Sequence, residues 1–163
     1  MNKSIQPLSE IKLVGITART STAQEMNPDT AKIGATMQKF FGNAMQAQIF
    51  DRKNPGTLFA IYTNYESDEH GEYTYFLGEE VNDFNNIQPG FETLTIPAQT
   101  YIKFTSTPGK MPDVCIDMWL NIWKMNASDL GGQRAYIADF ELYDARSQNP
   151  DDAVLDIYIG INK

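Results

Sequence analysis

Apolar positions along the chain change period several times. Ile11 to Thr20 is rich in β-branched residues and predicts a first strand. Asn27-Pro28-Asp29-Thr30 offers helix caps, and Ile33, Met37, Phe40, Phe41 and Ala44 then recur on one helical face. Asp51 to Gly56 forms a turn cluster. Leu58 to Tyr65 predicts a strand, Glu66 to Gly71 a polar turn, and Glu72 to Gly78 the hairpin partner. The order then starts again. Glu92 to Ser106 predicts a strand, in which Pro97 points to an edge or a bulge. Pro112 to Met125 predicts an amphipathic helix whose apolar set includes Val114, Met118, Trp119, Ile122 and Trp123. After Gly131-Gly132, Ala135 to Tyr143 predicts a strand, Ser147 to Asp152 a turn, and Ala153 to Ile161 the last strand.

The pattern is strand–helix–strand–strand, twice, and an internal repeat supports it. Phe59-Ala60-Ile61-Tyr62 aligns with Phe140-Glu141-Leu142-Tyr143, and Tyr75-Phe76-Leu77-Gly78 with Ile157-Tyr158-Ile159-Gly160. The halves run from about 10 to 82 and from 91 to 162, within one domain spanning 1–163. Each half is too small to bury both faces of its own sheet. Two halves joined about a pseudo-twofold axis bury them and leave a groove, a natural ligand site. The expected fold class is α+β: duplicated βαββ modules, an antiparallel sheet, two helices and a central cleft.

Strand alternation assigns faces. If the helices need the most apolar sheet face, Phe59, Ile61, Phe140 and Leu142 point at them. Tyr62, Phe76, Glu141, Tyr143, Asp156 and Tyr158 then share the other face, a carboxylate among aromatic rings. Such a set suits a delocalised organic cation. Alternation alone favours a solvated glutamate on an outer face.

Composition narrows the classes. Thirteen basic residues against 21 acidic ones give a net charge of −8. That balance argues against direct nucleic-acid binding and against docking on anionic membranes. One cysteine, Cys115, excludes an internal disulfide. Met1 to Glu10 has no apolar signal-peptide core, so the expected location is cytoplasmic. His70, the only histidine, sits in a polar turn and predicts no triad. Asp68, Glu69, Asp151 and Asp152 lack metal-loop spacing. Pro108-Gly109-Lys110 lacks the upstream glycine of a phosphate loop. No metal or cofactor is expected.

The segment Tyr62 to Val81, YTNYESDEHGEYTYFLGEEV, resembles a motif of the GyrI-like effector-binding domains, in their stand-alone, integron-associated branch. Ala138 to Asp144, ADFELYD, resembles that family's F-E-x-Y-D strand. The opening strand and the Trp-bearing helix fit as well, so the resemblance spans Ile11 to Ile161. It is similar to the ligand-binding domain of multidrug-responsive transcription regulators. The resemblance implies a small-molecule binding protein whose ligands are cationic and aromatic. It maps the family's cleft glutamate onto Glu141, with Tyr143 in the same motif. It sets a helix tryptophan beside the cleft, Trp119 or Trp123. Face parity adds Tyr62, Phe76 and Tyr158. Many relatives carry a DNA-binding domain ahead of this one. Here the first strand starts at Ile11, so a transcriptional role would need a separate regulatory protein partner. Exposed sheet edges would allow a homodimer. Two alternatives stay open. One is a cleft hydrolase of reactive electrophiles with Glu141 as general base; the other is a gyrase-inhibitor-like interaction module. Binding is favoured over catalysis.

Overall fold

Long strands with alternating buried side chains build one antiparallel sheet. The computed structural model describes residues 1–162. Among them are nine strands and four α-helices. The first unit comprises β2 (Ile11–Ser21), the short α1 (Thr22–Glu25), α2 (Ile33–Gly42), β3 (Leu58–Thr63) and β4 (Glu72–Glu80). The second comprises β6 (Gln99–Thr105), α3 (Asp113–Trp123), the short α4 (Ala127–Leu130), β7 (Gln133–Arg134), β8 (Ala138–Tyr143) and β9 (Asp156–Asn162). Each unit is preceded by one more strand, β1 (Asn2–Leu8) and β5 (Glu92–Ile96). The strand order is β1-β6-β9-β8-β3-β4-β2-β5, with β7 paired to β9.

This order is symmetric about the β3–β8 junction. The two leading strands are exchanged: β1 pairs with β6 of the second unit, and β5 pairs with β2 of the first. Only two residues link Leu8 to Ile11, and only two link Ile96 to Gln99. Such short links join strands from opposite ends of the order. The sheet must therefore curl until its ends approach. A concave core fills the curl, with Leu13, Phe59, Ile61, Phe76, Tyr101 and Phe140 all buried. The convex face carries two further cores. One lies against α2 and includes Val14, Ile16, Phe40, Tyr75 and Leu77. The other lies against α3 and includes Phe104, Met118, Ile122, Ile157 and Ile159.

Several expectations change. The run from Glu92 to Ser106 is two strands. Pro97, with no N–H to donate, falls in the short link where the chain passes from one sheet end to the other. A strand at Asn2–Leu8 was not foreseen, because its side chains are mostly exposed and carry no clean alternation. Asn27 to Thr30 is a turn, and α2 starts only at Ile33. Glu25 caps α2 from across that turn by accepting from the N–H groups of Lys32 (2.8 Å) and Ile33 (3.0 Å). β8 and β9 each begin three residues later than expected.

The alignment of the last strands also shifts. Phe59 pairs with Gly78, and Phe140 with Tyr158, so Tyr158 takes the place of Gly78 rather than of Phe76. The face assignment reverses too. Phe59, Ile61, Phe140 and Leu142 point into the concave core, away from the helices. A curled sheet with cores on both sides needs apolar residues on both faces. Greater apolarity therefore does not mark the helix side.

Two glycines permit the close approach of β2 and β4. Gly15 and Gly78 are register partners. A Cβ on Gly78 would lie 2.1 Å from the carbonyl oxygen of Val14, and one on Gly15 equally near that of Leu77. Gly34 in α2 has open space around it. Gly78→Ala should therefore cost more than about 2 kcal/mol in chemical unfolding. Gly34→Ala should stabilise by about 0.5–1 kcal/mol. Equal effects of the two substitutions would contradict this packing.

Candidate functional site

The register across β3 and β8 places Glu141 at the centre of the molecule. Phe59 pairs with Leu142, Ala60 with Glu141, and Ile61 with Phe140. In the repeat, Phe59 corresponds to Phe140 and Ile61 to Leu142, so the pseudo-twofold axis passes through the Ala60–Glu141 pair. One unit thus supplies an alanine there and the other a carboxylate. Tyr62 and Tyr143 are the symmetry-related neighbours two residues on. Both turn their phenols to the same glutamate. The Tyr62 hydroxyl donates to Oε2 at 2.7 Å, and the Tyr143 hydroxyl donates to Oε1 at 2.5 Å. The indole N–H of Trp119, from α3, donates to Oε2 at 2.8 Å.

Glu141 is only 3% exposed. Among the described residues, no lysine, arginine or histidine forms an ion pair with it. Three donors converge on a group that only accepts, the pattern that suits an ionised carboxylate. Charge-assisted hydrogen bonds thus stand where an ion pair would otherwise be required. Burial first, and the Glu141 charge second, push the phenols of Tyr62, Tyr75 and Tyr143 well above their usual range. The Cys115 thiol, beside the Tyr143 hydroxyl at 3.5 Å, is raised for the same two reasons.

In front of this carboxylate lies a cavity of about 430 Å³. It opens between α3, the α1–α2 turn and the convex face of β3 and β4. Tyr62, Tyr65, Tyr73, Trp119 and Trp123 form its aromatic walls. Tyr62 is their hub. Its ring meets Trp119 at 5.4 Å, Tyr73 at 5.3 Å and Tyr75 at 5.6 Å, each edge to face. Met26, Ile33, Ile116 and Leu120 add an aliphatic rim. Met26 is 82% exposed, an unusual position for a large apolar side chain. Glu25 and Glu69 contribute carboxylates, and Arg134 the one basic side chain of the lining. That arginine is engaged with the buried Asp139 at 2.7 Å. Its guanidinium also lies 4.5 Å from the ring centre of Tyr136.

Of the residues singled out from the sequence, Tyr62, Trp119 and Trp123 line the cavity. Glu141 and Tyr143 stand directly behind that wall. Phe76 and Tyr158 do not join them. Both belong to the concave core, where Tyr158 stacks on Phe140 at 4.6 Å. Asp156 lies on the concave side as well, paired with Arg146 at 2.7 Å. Tyr65, Tyr73, Glu25, Glu69 and Arg134 were missed. One signal was available for the helical wall. α3 carries a second apolar stripe, Ile116, Trp119, Leu120 and Trp123, beside the core stripe of Val114, Met118 and Ile122. A helix that is apolar on two sides has a second apolar surface to account for.

The chain belongs to the family of integron-associated effector binding proteins, whose model matches residues 4–161. It is 31% identical to YobU of Bacillus subtilis over 153 residues, 93% of this chain and 92% of that one. An integron cassette protein from the mobile metagenome of Vibrio cholerae has the same fold, with a TM-score of 0.77 and 29% identity. That match covers 98% of this chain and 95% of the cassette protein. SAV2435, solved bound to tetraphenylphosphonium, superposes with a TM-score of 0.79 over 99% of this chain and 94% of its own. At 17% identity this last likeness is one of fold.

All eight tyrosines are raised above the ordinary phenol range, with burial the first cause in each. Tyr73, Tyr101 and Tyr136 rise to about 12. A phenol whose folded pKa exceeds its unfolded value stabilises the fold below the unfolded pKa, and that contribution is lost as pH rises through the folded one. Phenolate absorbance should therefore be almost absent at about pH 10, where free tyrosine is half ionised. It should then appear together with unfolding at higher pH. Half-ionisation at about pH 10 with the fold intact would contradict the buried tyrosine network.

Proposed function

We propose that this protein binds delocalised organic cations of the aromatic drug or metabolite type in the cavity before Glu141. One observation carries the proposal: a buried carboxylate without a basic partner stands directly behind two aromatic rings that face an open cavity. A weakly hydrated cation loses little on leaving water and gains on two fronts. Each ring face contributes about 0.5–2 kcal/mol of cation–π attraction, depending on desolvation. The carboxylate charge adds a longer-range attraction within a low-dielectric site. The hydrogen bonds from Tyr62 and Trp119 to Glu141 also draw electron density toward the cavity rings. The tetraphenylphosphonium held by SAV2435 is a ligand of this chemical type and supports the same class for this chain.

Binding without turnover fits the geometry better than hydrolysis does. A general base needs an oxygen free to reach the proton it removes. Both oxygens of Glu141 already accept hydrogen bonds, and the Tyr62 and Trp119 side chains separate them from the cavity.

Intrinsic fluorescence is a direct test, because both tryptophans of the chain line the cavity. Titration with tetraphenylphosphonium should give saturable quenching. Glu141→Gln keeps the shape and removes the charge, and should weaken binding at least about tenfold, or 1.4 kcal/mol. An unchanged dissociation constant in the variant would overturn the role of Glu141, and absence of saturable quenching would overturn cation binding.

A further inference from the structure

The cavity holds more negative charge than one cation neutralises. Glu141 stands at its β8 side, behind Tyr62 and Trp119. Glu25 lines the opposite side. Its carboxylate accepts from the Thr20 hydroxyl at 2.5 Å and from the N–H groups of Lys32 and Ile33. These bonds fix its position at the start of α2. A helix terminus offers about half a positive charge, so a net negative charge remains. Among the described residues no ion pair joins Lys32 to Glu25; the Lys32 ammonium is turned to the Arg19 carbonyl oxygen, to which it donates at 2.6 Å. Arg134, too, is engaged elsewhere, paired with Asp139.

The two poles are well separated. Thr20, which holds Glu25, sits opposite Tyr73 on β4. Glu141 lies on β8, and the order β8-β3-β4-β2 puts three strand spacings between the two sites. Three spacings amount to about 14 Å across the strands, and the register adds an offset along them: the row of Glu141, Ala60 and Leu77 meets β2 at Ile16, four residues or about 13 Å from Thr20. The floor between them is aromatic, made by Tyr62 and Tyr73. Tyr73 feels both ends: after burial, the charges of Glu25 and then Glu141 raise its phenol to about 12.

We infer that the cavity selects elongated aromatic dications, with one positive end toward Glu141 and the other toward Glu25. This rests on the cation-binding reading of the same cavity and adds a second charge to its ligand class. A monocation can approach only one pole and leaves the other carboxylate partly desolvated and unneutralised. A rigid dication meets both across one ring-lined path.

A matched pair of probes separates the two ideas. Methyl viologen is a flat biaryl with a pyridinium at each end; N-methyl-4-phenylpyridinium has nearly the same shape with one charge. By calorimetry, wild type should bind methyl viologen at least about tenfold more tightly. Its affinity should also fall more steeply with added salt than that of the monocation. Glu25→Gln, checked for an intact thermal transition, should cut the advantage of the dication over the monocation below about threefold. Equal or tighter binding of the monocation to wild type would overturn the dication inference and leave cation binding standing. An advantage that persists unchanged in Glu25→Gln would remove Glu25 as the second pole. Absence of binding by either probe would overturn the inference together with the reading on which it rests.

Discussion

A single carboxylate on a pseudo-symmetry axis, buried without a countercharge, is the constraint around which the molecule is arranged. Taking an ion from water into a protein interior costs several kcal/mol unless hydrogen bonds or an opposite charge compensate. Here the compensation comes from three neutral donors, and two of them are products of duplication. Tyr62 and Tyr143 occupy equivalent positions in the two units and close on Glu141 from either side. Trp119 supplies the third bond and is also a wall of the cavity. The charge is thereby retained while its surroundings stay aromatic, which is the combination a soft cation recognises.

The curl of the sheet makes room for this arrangement. Exchange of β1 and β5 between the units ties the two ends of the sheet to each other's partners. The concave core then takes up Phe59, Ile61, Phe76 and Phe140. Freed from that task, the convex face can place tyrosines, a glutamate and an aspartate beneath the helices. α2 and α3 each cover their own core and do not close over the axis, so the cavity lies between them. Apolar side chains such as Met26, Ile116 and Trp123 remain exposed at its mouth, as expected for a site that receives an apolar body.

Much of the fold was legible in the sequence. Duplicated periodicity located both βαββ units, and the antiparallel register at their junction, Phe59 with Leu142 and Ile61 with Phe140, is symmetric under the alignment of Phe59–Tyr62 with Phe140–Tyr143. Glu141 and its partner tyrosines stood out as a carboxylate flanked by rings. What stayed hidden followed from the curl. Alternation shows that two residues share a face but not which face meets the helices, and in a sheet buried on both sides apolarity does not decide it. Phe76 and Tyr158 were therefore grouped with Glu141 although they lie across the sheet from it. Glu25 was hidden for another reason: it caps a helix that begins eight residues later, at Ile33, beyond the reach of a local capping pattern. Tyr65 and Tyr73 lie on the same strand face as Tyr62 or just past its end, and read simply as core.

The position of a bound cation tests the central claim most directly. A crystal structure with tetraphenylphosphonium should show the ion in the cavity, packed on the rings of Tyr62, Trp119 and Tyr73. The three hydrogen bonds to Glu141 should be intact, and no ligand atom should touch the carboxylate. A cation found in the concave core beside Tyr158, or one that displaces Tyr62 and Trp119 to contact Glu141 itself, would contradict recognition of the buried charge through its aromatic screen.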